Sequence, residues 1–82
     1  MVAASIVLVD GNNKELALGS QVRHEQSGAL AVVGWDGLVY LEGLAADNSL
    51  QVQIANGGSC RVHFKLAPEQ DQVPLIGPLV CQ

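Results

Sequence analysis

The sequence predicts an all-β fold, an antiparallel β-sandwich of about seven short strands closed by one disulfide. Glycine and proline recur at short intervals and leave few windows long enough for a stable helix. Residues 50–55 and 60–66 alternate apolar and polar side chains, with the period of a half-buried strand. Cys60 and Cys81 form an even pair in a short chain, which favours a structural disulfide and an oxidising compartment.

Short β-branched runs bounded by turn residues place the strands along the chain. The predicted extended segments are residues 5–9, 15–22, 29–33, 38–42, 50–55, 60–66 and 75–81. Polar loops are expected at 23–28 and 68–72, and the Asp-Gly pair within 34–37 predicts a hairpin-type turn. A helical turn over 45–49 would be too short to stand alone. Gly77 and Pro78 interrupt the last segment, which suits an edge strand.

The alternating pattern also predicts where the disulfide lies. Cys60 is in phase with Val62 and Phe64, so its side chain is expected to point into the core. A bridge to Cys81 would pin the C-terminal edge strand to the strand that begins at Cys60. Closing a loop of roughly 20 residues stabilises a fold by about 3 kcal/mol in the chain-entropy model. A pair of free, buried thiols in a cytosolic protein is the alternative.

Composition narrows the classes of partner. The chain has 82 residues, enough for one domain, and a net charge of -4 with only four basic side chains. Nucleic acids and anionic membrane surfaces both attract basic patches, so neither is an expected partner. The apolar fraction is 49%, mostly aliphatic, which is more than so small a domain can readily bury. We therefore expect an exposed apolar patch that binds protein, unless these side chains are merely scattered over the surface.

No motif supports catalysis or a cofactor. The serines lack a nucleophile elbow, and the Gly57-Gly58 pair is a turn rather than a phosphate loop. His24 and His63 do not combine with the cysteines in the spacing of a zinc site. We expect a protein that is not an enzyme and holds no metal. A small cytosolic enzyme or metalloprotein stays as an alternative, which free thiols or bound zinc would favour.

An aromatic cluster near the middle of the chain is the candidate binding site. If Val39 and Leu41 face the core, then Leu38 and Tyr40 point outward, and Trp35 lies on the adjoining turn. Exposed aromatic and aliphatic side chains of this kind anchor interfaces. The opposite strand phase would bury Leu38 and Tyr40 instead.

Several short motifs, taken in order, carry a family resemblance. They are the stretch AVVGWDGLVYLEGL at 31–44, the Leu-x-Val strand at 50–52, the turn and cysteine at 57–60, and the Cys-x-Val-x-Phe strand at 60–64. A Leu-Ala-Pro exit at 66–68 follows, and a second cysteine closes the chain. This order and spacing resembles the C-terminal domain of outer-membrane fimbrial ushers of the chaperone-usher pathway.

The resemblance implies a periplasmic β-sandwich that binds chaperone-subunit complexes during the assembly and secretion of fimbrial or capsular fibres. It also implies contacts with the N-terminal domain, plug and barrel of the same usher, which lies in the outer membrane. This domain itself would not insert into the membrane. Residues 2–9 lack the features of a signal peptide, so residues 1–82 are expected to be one domain of a longer membrane protein.

The residues expected to contact the partner are Trp35, Leu38 and Tyr40, with Val33 as a weaker member. Arg61, His63 and Lys65 form a polar strand face, more typical of a solvated surface than of a contact site. The alternative function is a secreted structural or carbohydrate-binding β-sandwich module. Glycan sites usually use stacking aromatic rings, and this chain has only three aromatic side chains.

Overall fold

A computed structural model describes residues 2–67 and 72–82, and within them the chain forms two packed sheets. The strands are β1 (Ala3–Val9), β2 (Gln21–His24), β3 (Leu30–Val32), β4 (Leu38–Glu42), β5 (Asp47–Gln53), β6 (Ser59–Lys65) and β7 (Leu75–Val80). The three-strand sheet has the order β4-β1-β7, and the four-strand sheet has the order β3-β2-β5-β6. The predicted all-β sandwich is confirmed.

One strand pairing differs in direction from the expectation. Four of the five pairings among the described residues are antiparallel, whereas β1 and β7 run parallel. A parallel pair needs a long crossover connection, and the chain between β1 and β7 provides it. The strand that contains Gly77 and Pro78 lies at the edge of its sheet, as predicted.

Several strand boundaries differ from the sequence expectation, most of all those of β2 and β5. The extended segment predicted over 15–22 becomes a strand only at Gln21, because Gly19 has a φ of 89° and turns the chain. Arg23 and His24, expected in a polar loop, continue β2. β5 begins at Asp47, inside the segment where a helical turn was considered. Residues 68–71 of the predicted loop at 68–72 lie outside the described residues.

The core is built from the inward-facing side chains of both sheets. Its buried strand residues include Ala4, Ile6, Leu8, Val22, Val39, Leu41, Leu50, Val52, Val62 and Phe64. Each Val, Leu, Ile or Phe that is fully buried contributes about 1.5–3 kcal/mol. Phe64 is buried in this core, whereas the other two aromatic side chains, Trp35 and Tyr40, are exposed at the surface.

The disulfide joins the two sheets. Cys60 of β6 is bonded to Cys81, just after β7, with 5.4 Å between the Cα atoms. Gln82 then pairs with Arg61 through two backbone hydrogen bonds of 3.0 and 3.1 Å. The predicted disulfide is confirmed, and both cysteines are used in it. The bridge links the edge strand of one sheet to the edge strand of the other.

A buried polar cluster fixes the loop between β2 and β3. His24 is fully buried, its Nε2 lies 2.8 Å from Asn48 Oδ1, and its Nδ1 lies 2.6 Å from Ser27 Oγ. Asn48 also exchanges side-chain hydrogen bonds with the backbone of Ala45. This cluster ties the β2–β3 hairpin to the connection before β5. Within residues 2–67 and 72–82, no three His, Cys, Asp or Glu side chains group as metal ligands.

In the part of the chain that the structure describes, no helix has the length and apolar character needed to span a membrane.

Candidate protein-binding face

The outward side of β4 carries the predicted aromatic site. Leu38 is 41% exposed and Tyr40 is 49% exposed, whereas Val39 and Leu41 are buried in the core. The strand phase that places Leu38 and Tyr40 outward is therefore confirmed. Both side chains emerge from a strand whose other face is already packed.

Neighbouring strands extend this surface. Tyr40 is opposite Ser5 of β1, which is in turn opposite Leu75 of β7, and Leu38 is opposite Val7. Leu75 is 71% exposed, and Val80 near the end of β7 is also exposed. We call this set, Val7, Leu38, Tyr40, Leu75 and Val80, the apolar face. Sequence reasoning missed Leu75 and Val80, because their place beside β1 depends on a long-range parallel pairing.

Trp35 lies on a 3₁₀ turn that leads directly into β4, Trp35–Gly37, and is 78% exposed. The turn is fixed by backbone bonds: the Leu38 N–H donates to the Trp35 carbonyl, and the Gly34 N–H donates to the Leu38 carbonyl at 2.7 Å. Gly37 has a φ of 73°, and a Cβ there would lie 2.6 Å from the Leu8 carbonyl oxygen. Only glycine fits this close approach to the β1 backbone. Gly37 therefore packs the turn against β1, and this places Trp35 directly before β4.

Val33 requires a correction. It was expected as a weaker member of the exposed site, but its side chain is fully buried in the core. Its N–H donates to the Ser20 carbonyl and its carbonyl accepts from Gly19, both at 2.8 Å. The bond to Ser20 continues the β2–β3 pairing by one residue, so Val33 points inward by alternation with the outward residues of β3. The preceding residue, Val32, is the one exposed to solvent.

Acidic side chains lie beside the apolar face. The Tyr40 hydroxyl donates a hydrogen bond of 3.0 Å to the Glu42 carboxylate. This hydrogen bond, together with partial burial and the negative charge of Glu42, raises the pKa of Tyr40. Asp36 lies on the adjoining turn. The apolar face therefore has acidic residues at both ends of its β4 edge.

In the four-strand sheet, the outer side of β5 and β6 is polar by contrast. Arg61 donates two hydrogen bonds to Glu25, at 2.7 and 3.0 Å, and His63 lies 3.1 Å from Asp47. The hydrogen bond from Arg61 holds the pKa of Glu25 below its usual range and raises the pKa of Arg61. Arg61, His63 and Lys65 are all exposed on this side. The arrangement is that of a solvated strand face.

Comparisons with known proteins give one family match and one structural likeness. The family model of the PapC C-terminal domain matches residues 5–69. Among solved structures, the Caf1A usher C-terminal domain matches with a TM-score of 0.77 and 24% identity, over 96% of this chain and 97% of that chain. That likeness shows a shared fold. No curated protein matches the chain. Because the family model covers most of its length, the chain belongs to the PapC C-terminal domain family, the C-terminal domains of ushers in the chaperone-usher pathway.

Proposed function

We propose that this domain docks chaperone-subunit complexes on the periplasmic side of the outer membrane during fimbrial or capsular fibre assembly, and that the apolar face makes the contact. The observation that carries the proposal is a cluster of exposed aliphatic and aromatic side chains on a sheet whose inner side already fills the core. Packing of the domain itself does not require these side chains. An exposed apolar cluster with a polar rim is typical of a protein-binding surface.

The residue types on the apolar face suit a contact that must form and later release. Tyr40 offers a ring to bury and a hydroxyl that already bonds to Glu42. Leu38 and Leu75 each offer aliphatic surface whose burial by a partner contributes about 1.5–3 kcal/mol. A few residues of this kind can dominate an interface. Trp35, more exposed than either leucine, lies close by on the turn into β4.

The rim of the face indicates the charge of the partner surface. Glu42 and Asp36 are both acidic, and they lie at opposite ends of the β4 edge of the apolar face. Like charges opposed across an interface are costly, whereas opposite charges steer the encounter and set its register. The proposed partner surface is therefore apolar with basic residues beside it.

A similar domain supports the proposal. For the Caf1A usher C-terminal domain, conserved hydrophobic clusters on the surface are important for F1 antigen assembly. This chain has the same fold and carries an exposed hydrophobic cluster of its own. The disulfide between Cys60 and Cys81 suits an oxidising compartment such as the periplasm. Contacts with the plug, barrel and N-terminal domain of the same usher belong to this proposal as well.

Charge substitutions on the apolar face test the proposal. Leu38→Glu and Tyr40→Glu place a charge on an outward side chain, so the fold should remain intact while docking is lost. Gln51→Glu on the polar side of β5 is the matched control, with the same added carboxylate on an exposed strand position. Binding to the cognate chaperone-subunit complex is measured by calorimetry, and folding by circular dichroism. The expected result is an affinity at least about tenfold weaker for Leu38→Glu and for Tyr40→Glu. The affinity of the Gln51→Glu control should be unchanged. Folded variants that bind as tightly as the Gln51→Glu control would refute the role of this face.

A further inference from the structure

We propose that the free edge of β3 pairs with β3 of a second copy of this chain, which would join two four-strand sheets into one continuous sheet. The proposal is independent of the docking role, because β3 belongs to the other sheet. It rests on the hydrogen-bonding phase of β3, on its exposed side chains, and on how the other sheet edges differ from it.

The backbone phase of β3 leaves its bonding groups open at Leu30 and Val32. The His24 N–H donates to the Ala29 carbonyl and the Val33 N–H donates to the Ser20 carbonyl, so these residues form hydrogen-bonded pairs with the β2 side. In an antiparallel ladder, hydrogen-bonded and non-hydrogen-bonded pairs alternate. Leu30 and Val32 therefore direct their N–H and C=O groups away from β2, toward the free edge.

The other sheet edges carry features that discourage pairing. The free edge of β6 presents Arg61, His63 and Lys65, and Gln82 already pairs with the Arg61 backbone. β7 contains Pro78, which has no N–H to donate. The edge of β4 carries the charged Glu42. Charged side chains and proline are the usual means by which proteins block edge pairing.

The β3 edge has neither a charge nor a proline. Its side chains are Leu30, Ala31 and Val32, with Leu30 78% exposed and Val32 59% exposed. An edge of this kind is a template for another strand. Its short length limits the number of bonds, so the expected association is weak and reversible.

A second copy fits this edge in one register. When two β3 strands meet antiparallel about Ala31, Leu30 of each copy is opposite Val32 of the other. Both residues then direct their backbone groups at each other, and the pairing completes four hydrogen bonds. A register centred on Leu30 or on Val32 satisfies only half of these hydrogen bonds. Leu30 and Val32 also form an apolar cross-strand pair on the outer side, which is a favourable contact in sheets.

The surroundings of the junction do not oppose this pairing. In the same register Gly28 of one copy is opposite Gly34 of the other, and neither residue has a side chain that could clash there. Within each copy, the neighbours of this pair on β2 are Arg23, which is opposite Leu30, and Gln21, which is opposite Val32. No like charges are opposed directly. The acidic side chains Asp36 and Glu42 belong to the turn and strand that follow β3.

Self-association of the whole chain tests the proposal. Nitrogen-15 NMR spectra are recorded from micromolar to low-millimolar concentration, with sedimentation equilibrium on the same samples. The expected result is concentration-dependent shifts centred on Leu30 and Val32. In samples mixed from differently labelled copies, we expect intermolecular Overhauser effects between Leu30 and Val32. Monomeric behaviour throughout, or shifts without contacts between copies, would overturn the pairing.

Three variants sharpen the test. Val32→Pro removes a donor that points to the free edge and does not bond to β2, and Leu30→Lys adds a charge at a position exposed enough to spare folding. Each should weaken self-association by at least about tenfold. Leu75→Lys, on the exposed side of the other sheet, is the control and should leave self-association unchanged. An effect of Leu75→Lys with none of Leu30→Lys would instead assign the contact to the apolar face.

Discussion

The outer faces of the two sheets follow the same alternating pattern, but the three-strand sheet differs in chemistry from β2, β5 and β6 of the four-strand sheet. On the three-strand sheet the outward positions hold Leu38, Tyr40 and Leu75. On β2, β5 and β6 they hold glutamines and charged side chains such as Arg61, whereas the β3 edge of the same sheet is aliphatic. Alternation alone shows which side chains share one side of a strand. The identity of the outward set is what distinguishes a solvated face from a contact face.

Truncating one inward and one outward leucine of β4 gives the largest expected difference. Leu41 is buried in the core, so Leu41→Ala should destabilise the fold by about 2–5 kcal/mol. Leu38 lies on the apolar face, so Leu38→Ala should change the free energy of unfolding by about 0.5 kcal/mol or less. Urea denaturation of both variants measures the difference. Equal losses would mean that Leu38 supports the fold and is not available for a partner.

Removing the disulfide tests how the two faces are held together. Cys60→Ala combined with Cys81→Ala opens a loop with a sequence separation of 21 residues, between edge strands of different sheets. The expected loss is about 3 kcal/mol in the free energy of unfolding. Denaturation of the oxidised chain and of the double variant gives the value. A loss below about 1 kcal/mol would show that packing alone holds the sheets together.

A matched pair of glycines separates close approach from backbone strain at the turn that carries Trp35. Gly37 and Gly43 have φ values of 73° and 72°, so alanine is strained at both positions. A Cβ at Gly37 would meet the Leu8 carbonyl oxygen at 2.6 Å, whereas at Gly43 it would meet nothing within 4 Å. Gly37→Ala should therefore cost at least about 1 kcal/mol more than Gly43→Ala. Thermal unfolding of both variants measures the difference in cost. Equal costs would mean that the turn shifts to accommodate the Cβ at position 37 without further loss of stability.

The smallest effect is expected on the polar face, at the pair of Arg61 and Glu25. The hydrogen bond from Arg61 lowers the pKa of Glu25 in the folded state. The pair therefore adds stability above the ordinary pKa of the carboxyl group, and this stability is lost as the pH falls through the lowered pKa. The gain is small because Arg61 is exposed and Glu25 is only partly buried, so solvent screens the pair.

Glu25→Gln isolates that contribution from other groups that titrate in the same range. Asp10, whose pKa is lowered by hydrogen bonds from the Lys14 and Asn12 backbone, changes stability in the same direction. Denaturation midpoints of wild type and variant, compared across the acidic range, should converge as the pH falls. Midpoints that stay apart at the acidic end would assign the difference to something other than this ion pair.

The features that follow from local pattern were predicted from the sequence. Alternation grouped Leu38 with Tyr40 on one side of β4 and left open which side faces outward, and the disulfide followed from the number and phase of the cysteines. The burial of His24 was missed, because its partner Asn48 lies 24 residues further along the chain. The burial of Val33 was also missed, because the pairing of β3 with β2, which sets its phase, is not visible in a short window of sequence.

The extent of the apolar face depends on topology. Leu75 joins it only because β7 lies parallel to β1, and such long-range pairing leaves no signal in a short window of sequence. Trp35 and Tyr40 were found from their own segment, which contains both the turn and the strand. Sequence analysis therefore located one edge of the face and not its full width.

An NMR titration of the labelled domain with its cognate chaperone-subunit complex tests the central claim most directly. The apolar face predicts shifts or line broadening at Leu38, Tyr40 and Leu75, with Trp35 included, while the strand positions around Gln51 stay unperturbed. Perturbation centred on the four-strand sheet, or none at saturating complex, would contradict the claim that this face is the docking surface.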